Sequence, residues 1–510
     1  MTVKKIVNIP LNRVEGDLEI SVEIEDGVAT EARCSGTMYR GFEKILLGRG
    51  ALDGLVITPR ICGICNTGHL TTASLALDVI ANVTPPPDAT RIRNIALMTE
   101  MIQSDMRHGF LMFTADFVNP AYEKLELYDE AVQRFEPLKG QALFEVIRET
   151  KKILEIVAIL GGQWPHSSYM VPGGIVSLPN QSDLVKCRLL LEQYQSWYEQ
   201  RILGCSLDRW LEVKSGKDLE LWLEENDSHR QSHLGFFIRY ARLIGLDKIG
   251  KGCGNYISFG AFDLPDGTSL NVKKGQTRFV PSGFASSEGV DEFDQGKITE
   301  HVEYSWFEGD KTDLHPARGE TKPYASGYEG KKYSWAKAPR YDGRPAETGP
   351  LAEMIIGKNP LFTDLLKTNG SSVFSRELAR LVRPAQLIPA MNIWLSETVA
   401  DGKFYNPPGE IINGEGFGLT QVTRGALGHW VRIENRKIAH YQIISPTTWN
   451  LSPRDADGIR GPGEEALIGT EISDIANPVK LGHIVRSFDA CLVCTVHAID
   501  KRTKRMGRIA

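Results

Sequence analysis

The chain has 510 residues, 59 Lys and Arg against 64 Asp and Glu, a formal net charge of −5 and 42% hydrophobic residues. That balance suits a globular protein able to bury a large core, and length alone would suggest roughly two to four domains. No apolar run approaches the ~18 residues that span a bilayer, and an acidic chain with no basic block in its body is not expected to bind nucleic acid.

Residues 18 to 35 alternate through Leu18, Ile20, Val22 and Ile24 and turn at Asp26-Gly27, the pattern of a β-hairpin. Residues 91 to 118 place Ile95, Met98, Ile102, Met106, Phe110, Phe113 and Phe117 at helical spacing. Helical patterns return over 138–160 and 181–212, and more weakly over 229–244 and 371–383. Several run longer than an average helix, which suggests a bundle core. The stretch 252–348 is rich in Gly, Asp, Lys and aromatics, with short alternating runs such as Thr299 to Phe307, and reads as a β-rich insertion on one side of the bundle. Val431 to Ile444 reads as a second hairpin turning at Glu434 to Lys437. The expected class is therefore α+β, mainly helical, with a long-helix bundle core, peripheral β-hairpins and the insertion.

Cys34, Cys187, Cys205 and Cys253 are scattered singly, as small buried hydrophobes would be. The remaining cysteines form two Cys-x-x-Cys pairs, Cys62/Cys65 and Cys491/Cys494, near opposite ends of the chain. Met1 to Pro10 lacks the apolar core of a secretory signal, so the expected compartment is the cytoplasm, or the cytoplasmic face of a membrane as a peripheral protein, although a chain exported while docked to a signal-bearing partner would look the same. In that setting such pairs favour metal or redox chemistry over disulfides. If the pairs share one site, the termini meet in the core and residues 1–510 form one integrated unit.

The first pair lies in Arg60-Ile61-Cys62-Gly63-Ile64-Cys65-Asn66-Thr67-Gly68-His69, after Pro59 and before a helical pattern through Leu70, Ala73 and Leu77. Two cysteines three apart at a helix start can turn their sulfurs to one side, and the helix dipole there favours thiolate. His69 falls on the same face as Cys65 and can donate a hydrogen bond to its sulfur. The second pair lies in Ser487-Phe488-Asp489-Ala490-Cys491-Leu492-Val493-Cys494-Thr495-Val496-His497. Four thiolates suit zinc, an iron–sulfur cluster, or nickel bridged to iron. Structural zinc usually joins segments roughly 15–20 residues apart, whereas almost the whole chain intervenes here. His69 and His497 also exceed what a closed tetrahedral site uses.

These two motifs resemble the signatures of nickel–iron hydrogenase large subunits. The likeness continues in the family's order through Asn12-Arg13-Val14-Glu15-Gly16-Asp17, Tyr39 to Glu43, Gly161 to His166, Arg424 to Trp430 and Tyr441 to Asn450, and is weakest over 252–348. On the matched positions it implies Cys62 and Cys491 as terminal nickel ligands. Cys65 and Cys494 would be bridges to an iron bearing cyanide and carbon monoxide ligands installed by maturation proteins. It implies heterolytic splitting of dihydrogen, with the Cys491 sulfur accepting the proton, Glu15 relaying it, and Arg424, paired with Asp489, orienting the gas. A guanidine is a poor base, so the thiolate is favoured over Arg424 as proton acceptor. Glu43, the carbonyl of Ile443 and His497 match the ligands of a magnesium ion, a hard cation taking mostly oxygen and water; the histidine leaves iron as an alternative. Taken alone, Glu15 would be a turn carboxylate and Glu43 a solvated charge beside Lys44.

The chain departs from the family pattern at Ala490 and Thr423, where relatives carry proline, and at Gln103-Ser104-Asp105, where many carry His-Asp-His. The shift by one position puts a supporting role for Asp105 in doubt, and together the changes lean toward the uptake and sensory branch. Trp164, His166 and Tyr169 read as a packed turn; His108, His229, His233, His301, His315, His429, His440 and His483 read as packing or satisfied polar contacts. Residues 498–510 hold five basic residues and one acidic, and resemble a tail that a peptidase removes after nickel loading. With no further cysteine array, electrons must leave through a partner. The resemblance implies an iron–sulfur small subunit covering an apolar face near the N-terminal region and the first cysteine helix, a quinone or other carrier beyond it, and higher oligomers. The readings are an uptake hydrogenase; alternatively a dihydrogen sensor of low turnover; or a zinc-stabilised subunit like the related cysteine-less subunit of respiratory NADH:quinone oxidoreductase, against which four intact cysteines argue.

Overall fold

The computed structural model describes residues 4–308, 313–327 and 330–492; Cys494, His497 and the tail 498–510 lie outside the described residues. The expected first hairpin is present as Leu18–Glu25 paired antiparallel with Val28–Gly36, and a further strand, Lys4–Leu11, joins its outer edge. Leu18, Ile20, Val22 and Ile24 are all buried, as period-two patterning requires. Asp26 and Gly27 both take positive φ, 51° and 83°, matching the twist that a two-residue hairpin turn needs. The loop between Leu11 and Leu18 carries Glu15.

The helix Asn66–Ile80 is buried around nearly its whole circumference and packs on the strand Gly414–Val422. Gly414, Gly416 and Gly418 line one face of that strand, and this alternation lets the two backbones approach: a Cβ on Gly418 would lie 2.0 Å from the Thr72 carbonyl oxygen. The strand continues antiparallel into Gly425–Glu434 and Lys437–Ile444, so the expected second hairpin belongs to a three-stranded sheet.

The stretch 91–118 is helical throughout but changes pitch. Pro87–Arg107 is an α-helix, His108–Phe113 a π-helical turn and Thr114–Val118 a 3-10 turn. The stretch 138–160 holds Gln141–Ile153 and Glu155–Gly161. The stretch 181–212 breaks after Gln181–Trp197 and the π-turn Tyr198–Leu203, because Gly204 takes φ 74° with its Cα against the Ser228 carbonyl, and it resumes at Leu207–Leu211. Asp227–Gln231, His233–Leu243 and Val373–Val382 occupy the weaker patterns. Pro384–Glu397 follows directly; Pro384 at its first turn and Pro389 within it obscure it in the sequence.

Residues 252–348 are β-rich, with Tyr256–Asp263, Arg278–Ser286 and Gly289–Asp291 in one sheet and Ile298–His301 paired with Ala338–Tyr341. They are less peripheral than expected. Tyr256 to Phe262 are buried at every position, with the helix Pro350–Ile356 and the strand Gly414–Val422 packed on them. The main hydrophobic core draws on residues from Leu11 to Leu492 and includes Cys62, Cys65 and Cys491, and a second cluster joins Ile257, Phe259, Phe284 and Tyr341 to Trp430 and Trp449. No helix of the described residues is long and apolar enough to cross a membrane.

Candidate metal centre

The first cysteine pair is positioned by a short 3-10 turn, Thr58–Arg60, that delivers Cys62 into a bend ahead of the helix Asn66–Ile80. Only Cys65 sits at the helix start, as its N-cap; Cys62 precedes it, and its sulfur accepts the Ile64 N–H at 3.4 Å. The expectation of both cysteines at one helix start is thus half met. The second pair follows the helix Val479–Ser487. Asp489, at φ 53°, turns the chain back, and the Cys491 N–H donates to Thr447 Oγ1 at 2.9 Å.

The N-terminal loop closes on this segment as a short parallel bridge between Glu15 and Cys491. The Glu15 N–H donates to the Ala490 carbonyl at 3.1 Å and the Leu492 N–H to the Glu15 carbonyl at 2.6 Å. The Cys62 and Cys491 sulfurs stand 3.7 Å apart, and those of Cys62, Cys65 and Cys491, all buried, lie within 4.8 Å of one another. Three soft donors converging in an apolar core are the chemistry that a thiophilic transition metal selects.

Above the sulfurs lies a buried charge network. Asp489 receives Arg424 Nε at 2.9 Å, Arg380 Nη1 at 3.0 Å and His108 Nδ1 at 3.0 Å. Burial would raise the Asp489 pKa, but Arg424, His108 and Arg380 hold it well below the usual carboxylate range. Burial would likewise lower that of Arg424; Asp489 and the sulfurs of Cys491, Cys65 and Cys62 outweigh it and keep the guanidinium charged. Glu15, half-buried, has its pKa raised by burial and by the charges of Cys62 and Asp489, against Arg424. Asp105 holds Arg383 through both oxygens, at 2.8 and 2.7 Å, and lies 3.6 Å from Arg380, so it supports Asp489 through a shared arginine despite its shifted position. His108, assigned to packing from the sequence, belongs to this network, with its Nε2 3.1 Å from Glu377.

His69 is buried with Nδ1 3.2 Å from His429 Nε2, and His429 Nδ1 is 3.0 Å from the Tyr441 hydroxyl. If Tyr441 donates, each imidazole passes a donor inward and His69 Nε2 carries the proton that a hydrogen bond to sulfur requires. His429, also assigned to packing, is thus the orienting partner of His69. His166 packs over the first cysteine turn, its N–H on Asn66 Oδ1 at 3.1 Å and its Nδ1 2.9 Å from the Pro59 carbonyl.

Glu43 is buried rather than solvated. Its Oε1 accepts the Ile443 N–H at 2.9 Å and its Oε2 the Thr321 hydroxyl, so Glu43 and Ile443 do come together. Beside them Glu300, held by Gln442 at 2.7 Å and 3.7 Å from Lys337, keeps one buried oxygen without a partner among the described residues. Its pKa is pushed up to about 7 by burial and by Glu43, against Lys337. Glu100, on the helix Pro87–Arg107, reaches Thr67 N–H at 2.8 Å and Gly68 N–H at 2.9 Å. His108, Glu100 and Glu300 carry no motif. The available signal is ionisable residues at inward positions of otherwise apolar segments.

The family model described as nickel-dependent hydrogenase matches residues 40–131 and 238–497. The periplasmic NiFeSe hydrogenase large subunit of Desulfomicrobium baculatum is 30% identical, over 98% of this chain and 96% of that one. The hydrogenase-2 large chain of Escherichia coli K12 is 27% identical, over 98% of each. Among solved structures, the Ni-Fe-Se hydrogenase from D. vulgaris Hildenborough in the reduced state superposes with a TM-score of 0.80 at 31% identity, covering 98% of this chain and 100% of that one. The chain belongs to the nickel-dependent hydrogenase family, as a large subunit.

Proposed function

We propose that this chain cleaves dihydrogen heterolytically at a nickel–iron centre held by Cys62, Cys65, Cys491 and Cys494. The observation that carries this reading is the convergence of three buried sulfurs, from opposite ends of the chain, within 4.8 Å. When bound, nickel with an iron bearing cyanide and carbon monoxide supplies the Lewis acidity and redox capacity for splitting the gas. The chain's own residues handle the proton. The Cys491 sulfur accepts it and Glu15, tied alongside by the Ala490 and Leu492 backbone, carries it outward; its raised pKa suits a group that must take up and release protons. Arg424 stays charged and, held by Asp489, orients dihydrogen instead of acting as base. His69, oriented by His429, donates to the Cys65 sulfur.

A magnesium or iron ion at Glu43, Ile443 and His497 fits the second cluster: two buried carboxyl groups that repel each other, with one Glu300 oxygen unpartnered among the described residues. Electrons pass to an iron–sulfur small subunit. Ile45, Leu47, Leu52 and Val56 are 41%, 48%, 49% and 45% exposed just ahead of the Cys62 bend, an apolar stretch suited to that partner. Among the described residues, a main core that draws on both ends of the chain, with a second cluster around Phe259, Trp430 and Trp449 beside it, supports reading the chain as one unit.

Infrared absorption of the isolated protein tests the centre, because no protein side chain absorbs where metal-bound cyanide and carbonyl do. Those bands, with nickel and at least one iron for each nickel, are expected; stoichiometric zinc without nickel overturns the reading. Dihydrogen oxidation with a dye acceptor is expected, and near-zero turnover in a nickel-loaded sample would assign the sensor alternative.

A further inference from the structure

Glu100 is fully buried, and each of its carboxylate oxygens accepts one backbone N–H, from Thr67 and Gly68. Those N–H groups belong to the first turn of the helix that Cys65 caps. An uncompensated helix N-terminus behaves as roughly half a positive charge, and left alone would draw electron density from a thiolate beside it. Here the chain supplies its own anion at that terminus. The arrangement also constrains sequence: a Cβ on Gly68 would come within 2.7 Å of Val422 Cγ1, so the turn is pressed between Glu100 and the sheet.

We infer that Glu100 is a positioning residue for the metal centre: its carboxylate takes up the helix's first donors, fixes the Cys62–Cys65 turn and keeps both sulfurs electron-rich. It touches neither substrate nor metal and acts through the backbone of Thr67 and Gly68 and through its charge. Burial, and less so the nearby charge of Cys62, push the Glu100 pKa up to about 7 while the Thr67 and Gly68 N–H groups hold it down, so the anion is present at and above neutral pH. Held by electron-rich sulfurs, a bound nickel–iron centre would show a lower carbonyl stretching frequency and a lower nickel potential.

The inference rests on the nickel–iron reading, and the parent protein separates the two: absent cyanide and carbonyl bands in the parent remove that reading, not the role of Glu100. Glu100→Gln keeps the shape and one acceptor but loses the charge; Glu100→Asp keeps the charge. In the nickel-loaded complex Glu100→Gln is expected to shift the carbonyl band to higher wavenumber and the nickel midpoint potential to more positive values, with Glu100→Asp returning both toward the parent. Loss of nickel in Glu100→Gln alone, restored in Glu100→Asp, supports the same assignment. Unmoved bands and potential in a loaded Glu100→Gln protein, or equal loss of nickel in both variants, would reduce Glu100 to a helix cap and overturn it.

Discussion

Asp489 meets the Arg424 side chain at 2.9 Å while its own backbone sits in the left-handed region, two residues before Cys491. The strained turn and the ion pair are one device: the reversal that aims Cys491 at Cys62 also buries the carboxylate under Arg424, Arg380 and His108. Asp489→Asn leaves two buried guanidinium groups short of a counter-charge and is expected to destabilise the fold by about 3–5 kcal/mol, with dihydrogen oxidation falling as Arg424 loses its hold. Denaturant unfolding of the variant measures the first; an unchanged midpoint would count against the network.

Cys491→Ser replaces a soft donor with a hard one in a thiolate set and removes the assigned proton acceptor. Complete loss of dihydrogen oxidation is expected, with nickel content reduced. Parent-level activity with a dye acceptor would strip Cys491 of its role.

Glu15→Gln keeps the carbonyl and N–H that pair with Leu492 and Ala490 but cannot carry a proton. The metals and their infrared bands should remain while dihydrogen–deuterium exchange slows by about 100-fold or more, within the range general acid–base groups supply. Exchange at the parent rate would take Glu15 out of the proton route.

Glu464 offers a pH test remote from the metals. It is buried, accepts the Cys34 N–H and the Tyr333 hydroxyl at 2.9 Å each, and has its pKa pushed up by burial from an ordinary 4.5 to about 7. The folded chain therefore binds this proton more tightly than the unfolded chain. The stabilisation is fully present below the unfolded value and is lost as pH rises through the folded one. Glu464→Gln, neutral at every pH, should gain stability relative to the parent by on the order of 3 kcal/mol between about pH 4 and pH 8. Thermal unfolding at both ends of that window reads the difference; a constant offset would mean the carboxyl does not titrate there.

Leu52→Asp with Val56→Asp puts two charges on the exposed apolar stretch ahead of the first cysteine pair. Co-purification of the small subunit should fall by at least tenfold while the isolated large subunit keeps its unfolding temperature. Undiminished recovery of the complex would move the interface elsewhere.

Local signals were legible in the sequence where one short segment carries them whole. The Asp26-Gly27 turn and the alternation from Leu18 to Ile24 are of this kind and stand in the structure where their pattern puts them, and Cys62, Cys65 and Cys491 converge as the paired motifs lead one to expect. Relationships made only by long-range packing were not. The side chain of His108 reads as one more position in a helical stripe, yet the π-turn that begins there places it against Asp489, which lies far along the chain. Glu100 carries no sequence signal and Asp105 sits one position off the family pattern, and only the packing of the Cys65 helix and of Arg383 gives them their partners. The strand Tyr256–Asp263 lies in a stretch whose composition suggests a surface insertion, yet neighbours distant in sequence cover both its faces.

The sulfurs of Cys62 and Cys491 are separated by 429 positions along the chain. During synthesis the ribosome releases the first thiol pair long before the last exists, so no nascent fragment can enclose a complete thiolate set. For the centre proposed above, any ion captured before the Cys491 segment is made would meet the sulfurs of Cys62 and Cys65 alone.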